Sequence, residues 1–153
     1  MILDKKDYKK VSAVYKNMLN QFETFDYTIE DLMKDNVFIF IKYNDGGDVI
    51  IYQSIREICE EKKDGLTRVH FSYSLLDYPY RMKGIGTKMF QESINFFKDK
   101  LKEDFLLTVD CREENYASRN LFKKFDLEWQ SYNFSIINHR EVLFINYNKI
   151  ITV

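Results

Sequence analysis

The sequence predicts a mixed α/β (α+β) domain, and three observations lead there. Apolar residues step by threes and fours in some stretches and run or alternate in others, so helix and strand periods are both present. The stretches come in the order helix, helix, three strands, helix, strand, helix, two strands. The chain has 153 residues and is 45% hydrophobic, with 13 Phe and 11 Tyr, so one domain spanning residues 1–153 with a full core is the natural reading.

The first helix follows from Tyr8, Val11, Tyr15, Met18 and Phe22, which make one helical stripe. Thr28 opens a second, shorter helix, with Asp31 as its acidic first-turn residue. "VFIFIKY" (37–43) and "VIIYQSIREI" (49–58) are strands joined by the tight-turn signal "NDGGD". "EKKDG" is a further turn, and "LTRVHFSYSLL" (66–76) the third strand, ending at "DYPY". Phe90, Ile94, Phe97 and Leu101 mark a long helix, "FLLTVD" (105–110) a short apolar strand, and Ala117, Leu121 and Phe125 another helix. "WQSYNFSII" (129–137) and "EVLFINYNKIITV" (141–153) close the chain as two strands around "NHR". No repeat, low-complexity segment or Pro/Ser-rich linker interrupts this order.

Several function classes are disfavoured at this level. The formal net charge is -1 and no basic stripe stands out, which argues against nucleic acid as a partner. No apolar run reaches transmembrane length, and the charged "MILDKKDYKK" lacks the apolar core of a secretory signal, so we expect no membrane association and a cytoplasmic protein. Cys59 and Cys111 lack a C-x-x-C partner, and His70 and His139 lie far apart, so neither a metal site nor a disulfide framework is expected.

The chemistry concentrates at "YRMKGIGTKMF" (80–90). The chain has five glycines and one proline; Gly84, Gly86 and Pro79 all fall here, where a strand runs into a helix. The first turn of a helix leaves amides unpaired and carries partial positive charge. Glycines let a phosphate approach that backbone without a Cβ in the way. Arg81 and Lys83 add charge and Thr87 a hydroxyl, so the junction suits a pyrophosphate. A Walker A loop is excluded because Gly86 is followed by Thr87 and then Lys88, and a dinucleotide fingerprint because position 89 is Met rather than a third glycine.

Arg81-Met82-Lys83-Gly84-Ile85-Gly86 reads R-x-x-G-x-G and resembles the acetyl-CoA pyrophosphate loop of the GNAT superfamily of N-acetyltransferases. Downstream, "NYASRNLFKKFDL" resembles that family's second signature, N-x-x-[A/S]-x-x-L-[Y/F]-x-K-x-G-F, through Asn115, Ser118, Leu121, Phe122 and Lys124. The two motifs come in the family's order, separated by one helix and one strand, and the element order fits over essentially the whole chain. The resemblance implies a central mixed, mostly antiparallel sheet of about six to seven strands with a splayed strand pair, flanked by about four helices.

The resemblance further implies acetyl-CoA as co-substrate, without a metal. Its pyrophosphate would lie on Arg81, Met82, Lys83, Gly84, Ile85, Gly86 and Thr87, and its pantetheine arm along the backbone at Ser74, Leu75 and Leu76. Asn115, Ser118 and Phe122 would face the cofactor, with an N-cap as the structural alternative for Asn115. Cys111 is either a neighbour of the cofactor thiol or plain packing. The family often has Tyr at the position of Phe122, where a phenol protonates the leaving thiolate; Phe has no such proton. The usual Gly-Phe after the second signature is replaced by Asp126 and Leu127, and Asp can still adopt the left-handed conformation of a helix stop.

In one branch of the family a carboxylate base lies fourteen residues before the first loop glycine; here that position is His70. Imidazole titrates near neutrality, and strand alternation puts Ser72 and Ser74 on its face. Glu57 and Asp77 are the alternative bases. The implied reaction is direct transfer of an acetyl group in a ternary complex to the primary amine of a small molecule, an amino sugar or similar. A protein or peptide amine, or a catalytically weak acetyl-CoA-binding module, are the alternatives. Tyr15, Phe22, Phe25 and Tyr27 are either core or the wall of an acceptor pocket, and the chain is expected as a monomer or homodimer.

Overall fold

A computed structural model describes all residues, 1–153. Helices α1 (Tyr8–Gln21) and α2 (Ile29–Leu32) precede strands β1 (Val37–Tyr43), β2 (Ile50–Ile58) and β3 (Thr67–Leu76). A 3-10 turn (Tyr78–Tyr80) leads into α3 (Ile85–Leu101), followed by β4 (Phe105–Arg112), α4 (Tyr116–Lys124), β5 (Glu128–Ile137) and β6 (Arg140–Ile151). The six strands form one sheet in the order β1-β2-β3-β4-β6-β5. β1 runs antiparallel to β2, β4 to β6 and β6 to β5, while Thr67–Phe71 of β3 pairs in parallel with Phe105–Val109 of β4. The mixed sheet and the four α-helices are those the sequence predicts.

The chain divides into two compact units, Met1–Glu57 with Ser72–Ser93, and Ile58–Phe71 with Ile94–Val153. In the first unit, Asp7 caps α1 by accepting from the Lys10 amide at 3.3 Å. The buried stripe of α1 is Val11, Val14 and Met18, while Tyr8 is exposed. The stripe is therefore turned from the expected one: aliphatic Val14 fits the interior, and the Tyr8 phenol stays in water. Thr28 and Asp31 form a reciprocal capping box at α2, with hydrogen bonds of 3.1 and 2.8 Å. Between β1 and β2, the Asn44 side chain accepts from the amides of Asp48 and Val49, and Gly47 supplies the left-handed conformation (φ +74°). β2 is buried from Ile51 to Arg56, as befits an interior strand, and Leu3, Val11, Val14, Met18, Leu32, Val37, Ile39, Ile41 and Ile55 form this unit's core. Residues before α1 line the β1 edge: the Leu3 amide donates to Ile39 and the Ile41 amide to Met1.

In the second unit, Asp64 and Gly65, both at positive φ, make the two-residue turn before β3, with Lys63 and Leu66 exchanging both backbone bonds. Phe97 of α3 packs on Phe71 of β3 and Phe105 of β4, with ring centroids 6.1 and 6.4 Å apart. β4 is buried from Phe105 to Val109. The second hairpin turn uses Asn138 (φ +50°) and His139 (φ +66°). α4 ends in a Schellman motif: Asp126 takes φ +57°, its amide donates to Lys123, and the Leu127 amide donates to Phe122. The aspartate thus takes the place of the missing glycine.

Candidate functional site

The glycine loop is at the start of α3. Its two glycines do different things. Gly84 has φ +79°, a backbone that side-chain-bearing residues avoid. Gly86 is already inside the helix, and a Cβ there would meet no atom within 4 Å. Packing therefore does not require glycine at 86; open space beside a helix start is what an approaching anion needs. The Lys88 amide is the first to close a helical bond, to Gly84 at 3.1 Å. The amides of Ile85, Gly86 and Thr87 are thus the unpaired donors of the first turn. Met82 also takes positive φ (+64°) and its side chain is fully exposed.

Arg81 is exposed, but part of it is committed to the fold. Its Nε donates to the Leu76 carbonyl at 2.9 Å, and its guanidinium lies 5.5 Å from the Tyr78 ring centroid. Lys83 Nζ lies over the Tyr80 ring at 5.9 Å. The Asp77 amide donates to Ile51, fixing the end of β3 to β2. Leu75, Leu76, Asp77, Tyr78 and Arg81 line one open cleft of about 400 Å³ with Asn17, Asn20, Gln21, Ile50 and Gln53. Of the candidate site residues, this cleft brings together Leu75, Leu76, Asp77 and Arg81, but not Glu57.

Glu57 instead accepts a 2.8 Å bond from the Tyr27 hydroxyl, which also lies 2.7 Å from Ser72 Oγ. Burial pushes the Tyr27 phenol well above its ordinary pKa, so it remains a proton donor to that carboxylate. Tyr27 belongs to a half-buried aromatic group with Phe22, Phe25 and Tyr73, whose rings are 5.1–6.0 Å apart. These rings pack on the core of the first unit; the Tyr27 hydroxyl reaches Glu57 and Ser72, while the Tyr73 hydroxyl donates to the Thr24 carbonyl at 2.7 Å and to Asp26 Oδ1 at 3.2 Å.

Arg56 has no signal in the sequence. It is 1% exposed, its Nη1 donates to the carbonyl of Tyr73 at 3.1 Å, and its Nη2 to Ser74 Oγ at 2.9 Å and to the Tyr52 hydroxyl at 3.1 Å. Burial lowers its pKa from the usual arginine value. It therefore fixes the backbone and side chain of β3 at Tyr73 and Ser74. "QSIREI" reads as an alternating strand, and nothing in it says that β2 would be covered on both faces.

His70 lies in the second unit on β3, opposite Thr108 in the parallel register. Its Nδ1 is 2.7 Å from Thr108 Oγ1, and its Nε2 is 3.6 Å from Asp110 Oδ2. Asn146 of β6 in turn donates to Asp110 Oδ1 at 2.5 Å. Thr108 is buried, His70 half-buried and Asp110 exposed, so this polar file leads from the sheet interior to solvent.

The second signature forms the start of α4. Asn115 Oδ1 accepts from the Ser118 amide at 3.1 Å, so Asn115 is the N-cap. Ser118 is half-buried. Phe122 is buried, with its ring centroid 5.3 Å from that of Tyr147. The Tyr147 hydroxyl accepts from Arg119 Nε at 3.2 Å. A phenol is therefore present beside Phe122, though contributed by β6. Cys111 is buried and its thiol is pushed up to about 11 by burial, which makes it a packing residue at neutral pH. No helix is long and apolar enough to cross a membrane, and no group of three His, Cys, Asp or Glu side chains is placed to hold a metal ion.

No protein-family model matches the sequence, and no curated protein matches it either. Solved structures do match it. The NatC complex bound to Gag peptide and CoA contains a chain that is similar over 99% of this one and 97% of its own length, with TM-score 0.79 and 14% identity. NAA60 of Arabidopsis thaliana in complex with acetyl-CoA is similar over 99% and 97%, with TM-score 0.78 and 12% identity. An acetyltransferase of the GNAT family from Streptococcus pneumoniae is similar over 99% and 97%, with TM-score 0.73 and 15% identity. The chain has the fold of these proteins over essentially its full length.

Proposed function

We propose that this chain, built on the fold of N-acetyltransferases, is an acetyl-CoA-dependent N-acyltransferase: a single domain over residues 1–153 that acetylates the primary amine of a small molecule, an amino sugar or similar. One observation carries the reading. Gly84 has a conformation that favours glycine, and Gly86 keeps open the space beside three unpaired amides at the start of α3, flanked by Arg81 and Lys83. That arrangement fits a pyrophosphate. The likeness in fold to structures holding CoA and acetyl-CoA supports it.

The thioester supplies an activated acyl group. In direct transfer the amine nitrogen forms a bond to the carbonyl carbon, the carbon–sulfur bond breaks, the ammonium loses a proton and the thiolate gains one. The chain's part is to bind, orient and move those protons. Arg56 holds the Tyr73 carbonyl and the Ser74 hydroxyl, and Arg81 the Leu76 carbonyl, which fixes both ends of Ser74–Leu76 and suits that segment to pair with an extended arm. His70 is the base we favour, because Thr108 and Asp110 fix its ring. Its Nε2 has the longer contact, 3.6 Å, and is the nitrogen that can exchange Asp110 for a substrate amine. Glu57, hydrogen-bonded to Tyr27, and Asp77, in the cleft, are the alternatives. Asn115 and Ser118 would present the start of α4 to the cofactor. Phe122 contributes packing, and the Tyr147 hydroxyl or water takes over the role of a phenol at 122. A peptide amine is the second acceptor reading, favoured by the likeness to a chain crystallised with a peptide.

Titration calorimetry with acetyl-CoA tests the loop. Gly86→Val should weaken binding at least tenfold, about 1.4 kcal/mol, with circular dichroism unchanged because its side chain enters open space. Unchanged affinity in a folded variant would remove the loop assignment. Initial rates against a panel of amino sugars, polyamines and peptide N-termini would then choose the acceptor.

A further inference from the structure

The two ends of the sheet are finished differently. At β1 the edge is lined by the chain's own residues, through Leu3 to Ile39 and Ile41 to Met1. At the other end β5 is the last strand, ten residues long, and nine of the ten are exposed. Its side chains are not those of a protected edge. Trp129, Tyr132, Phe134 and Ile136 are 53%, 54%, 65% and 78% exposed. A register shift between Trp129 and Ser131 brings Trp129 beside Tyr132, ring centroids 5.4 Å apart, and alternation puts Phe134 and Ile136 on the same face as Tyr132. From Trp129 to Ile137 there is no charge, no proline and no lysine, the usual devices against edge pairing.

We propose that the β5 edge is the interface with a second copy of this chain, the two β5 strands pairing antiparallel about a two-fold axis near Tyr132 and Asn133. The arrangement is self-complementary. A neutral stripe meets its own copy without like-charge repulsion, and the acidic start of the strand, Glu128, meets the end that turns into Arg140. Isologous contact of this kind closes at two copies and leaves no further edge at this end. Aromatic side chains carry about 150–250 Å² each, so these four residues at their exposures offer on the order of 500 Å² of apolar surface per copy. That is the size of the largest apolar patch on a typical monomer, roughly 300–600 Å² and often functional, and pairing of the edges covers the part of it beside the seam.

Light scattering on the full chain after size exclusion, at up to about 100 µM, reads the mass. Wild type should have twice the chain mass. Phe134→Glu with Ile136→Glu should have the single-chain mass, with an unchanged circular dichroism spectrum because both residues are exposed. In a Cys59→Ser background, Asn133→Cys should cross-link to its copy under mild oxidation. A single-chain mass for wild type, a dimer that survives the double substitution, or an Asn133→Cys dimer that fails to cross-link overturns the proposal. So does flotation of a single-chain species with vesicles of anionic phospholipid, which would assign the stripe to a membrane surface.

Discussion

At His70 the sequence offers a count and a residue type, and the structure adds the two β4 side chains that hold the ring. Thr108 and Asp110 could not be read in advance, because the register that sets Thr108 opposite His70 joins strands with a whole helix between them in sequence. Arg56 was equally hidden: an arginine in an alternating strand reads as solvated, and only coverage of both faces of β2 makes it an interior donor to β3. The loop glycines were legible because their chemistry is local. If His70 is the base, His70→Gln should lower turnover roughly a hundredfold and leave acetyl-CoA affinity unchanged, by steady-state rates and calorimetry. The acidic limb of the pH–rate profile should flatten with it. Wild-type turnover with the same limb would turn attention to Glu57 and Asp77.

Among the elements, those announced by turn and cap chemistry fall where the sequence puts them. The Thr28–Asp31 capping box, the "NDGGD" hairpin and the Asp64–Gly65 turn each carry their own local hydrogen bonds. The Asp31 carboxyl is held down to about 2, chiefly by the Thr28 amide. Its contribution to α2 is present above the ordinary aspartate value near 4 and is lost as pH falls through about 2. The face of α1 was harder to read, because valine and tyrosine both count as apolar until one must enter a close-packed interior. The stop of α4 makes a sharper test. Asp126 sits at φ +57° without glycine's freedom. Asp126→Val should cost about 1–2 kcal/mol, and Asp126→Gly should be neutral or stabilise by about 0.5 kcal/mol, both read by urea unfolding. Equal losses for both would mean that the aspartate side chain, rather than its backbone, matters.

For the molecule as a whole, the element order in the sequence leads to the sheet, and the solved structures of the same fold agree over essentially the entire chain. Exposure was not legible. "WQSYNFSII" reads as a strand with an apolar face, and periodicity alone cannot say that nothing in the same chain covers it. If acetyl-CoA binds the native state, free ligand at a hundred times its Kd should stabilise the protein by about 2.7 kcal/mol. The thermal midpoint should rise accordingly in wild type and by at most about half as much in Gly86→Val, where a tenfold loss of affinity leaves about 1.4 kcal/mol at the same ligand concentration. A midpoint insensitive to acetyl-CoA in wild type would argue against the nucleotide itself, independently of any acceptor.

The interleaving of the two units has a consequence for how the protein is made. β3 gives Ser72–Leu76 to the first unit and Thr67–Phe71 to the second, and α3 is shared in the same way between Ile85–Ser93 and Ile94–Leu101. During synthesis the first unit has all its residues once Ser93 has emerged, while Ile58–Phe71 must wait for β4 before Thr67–Phe71 can find its parallel partner. Such pairing closes a long loop before any contact rewards it, and is slow for that reason. In that interval Val69 and Phe71, both buried in the finished protein, have no β4 to cover them. The nascent chain is then most exposed to misassociation, and binding by a chaperone to "RVHFSYSLL" would be most effective there.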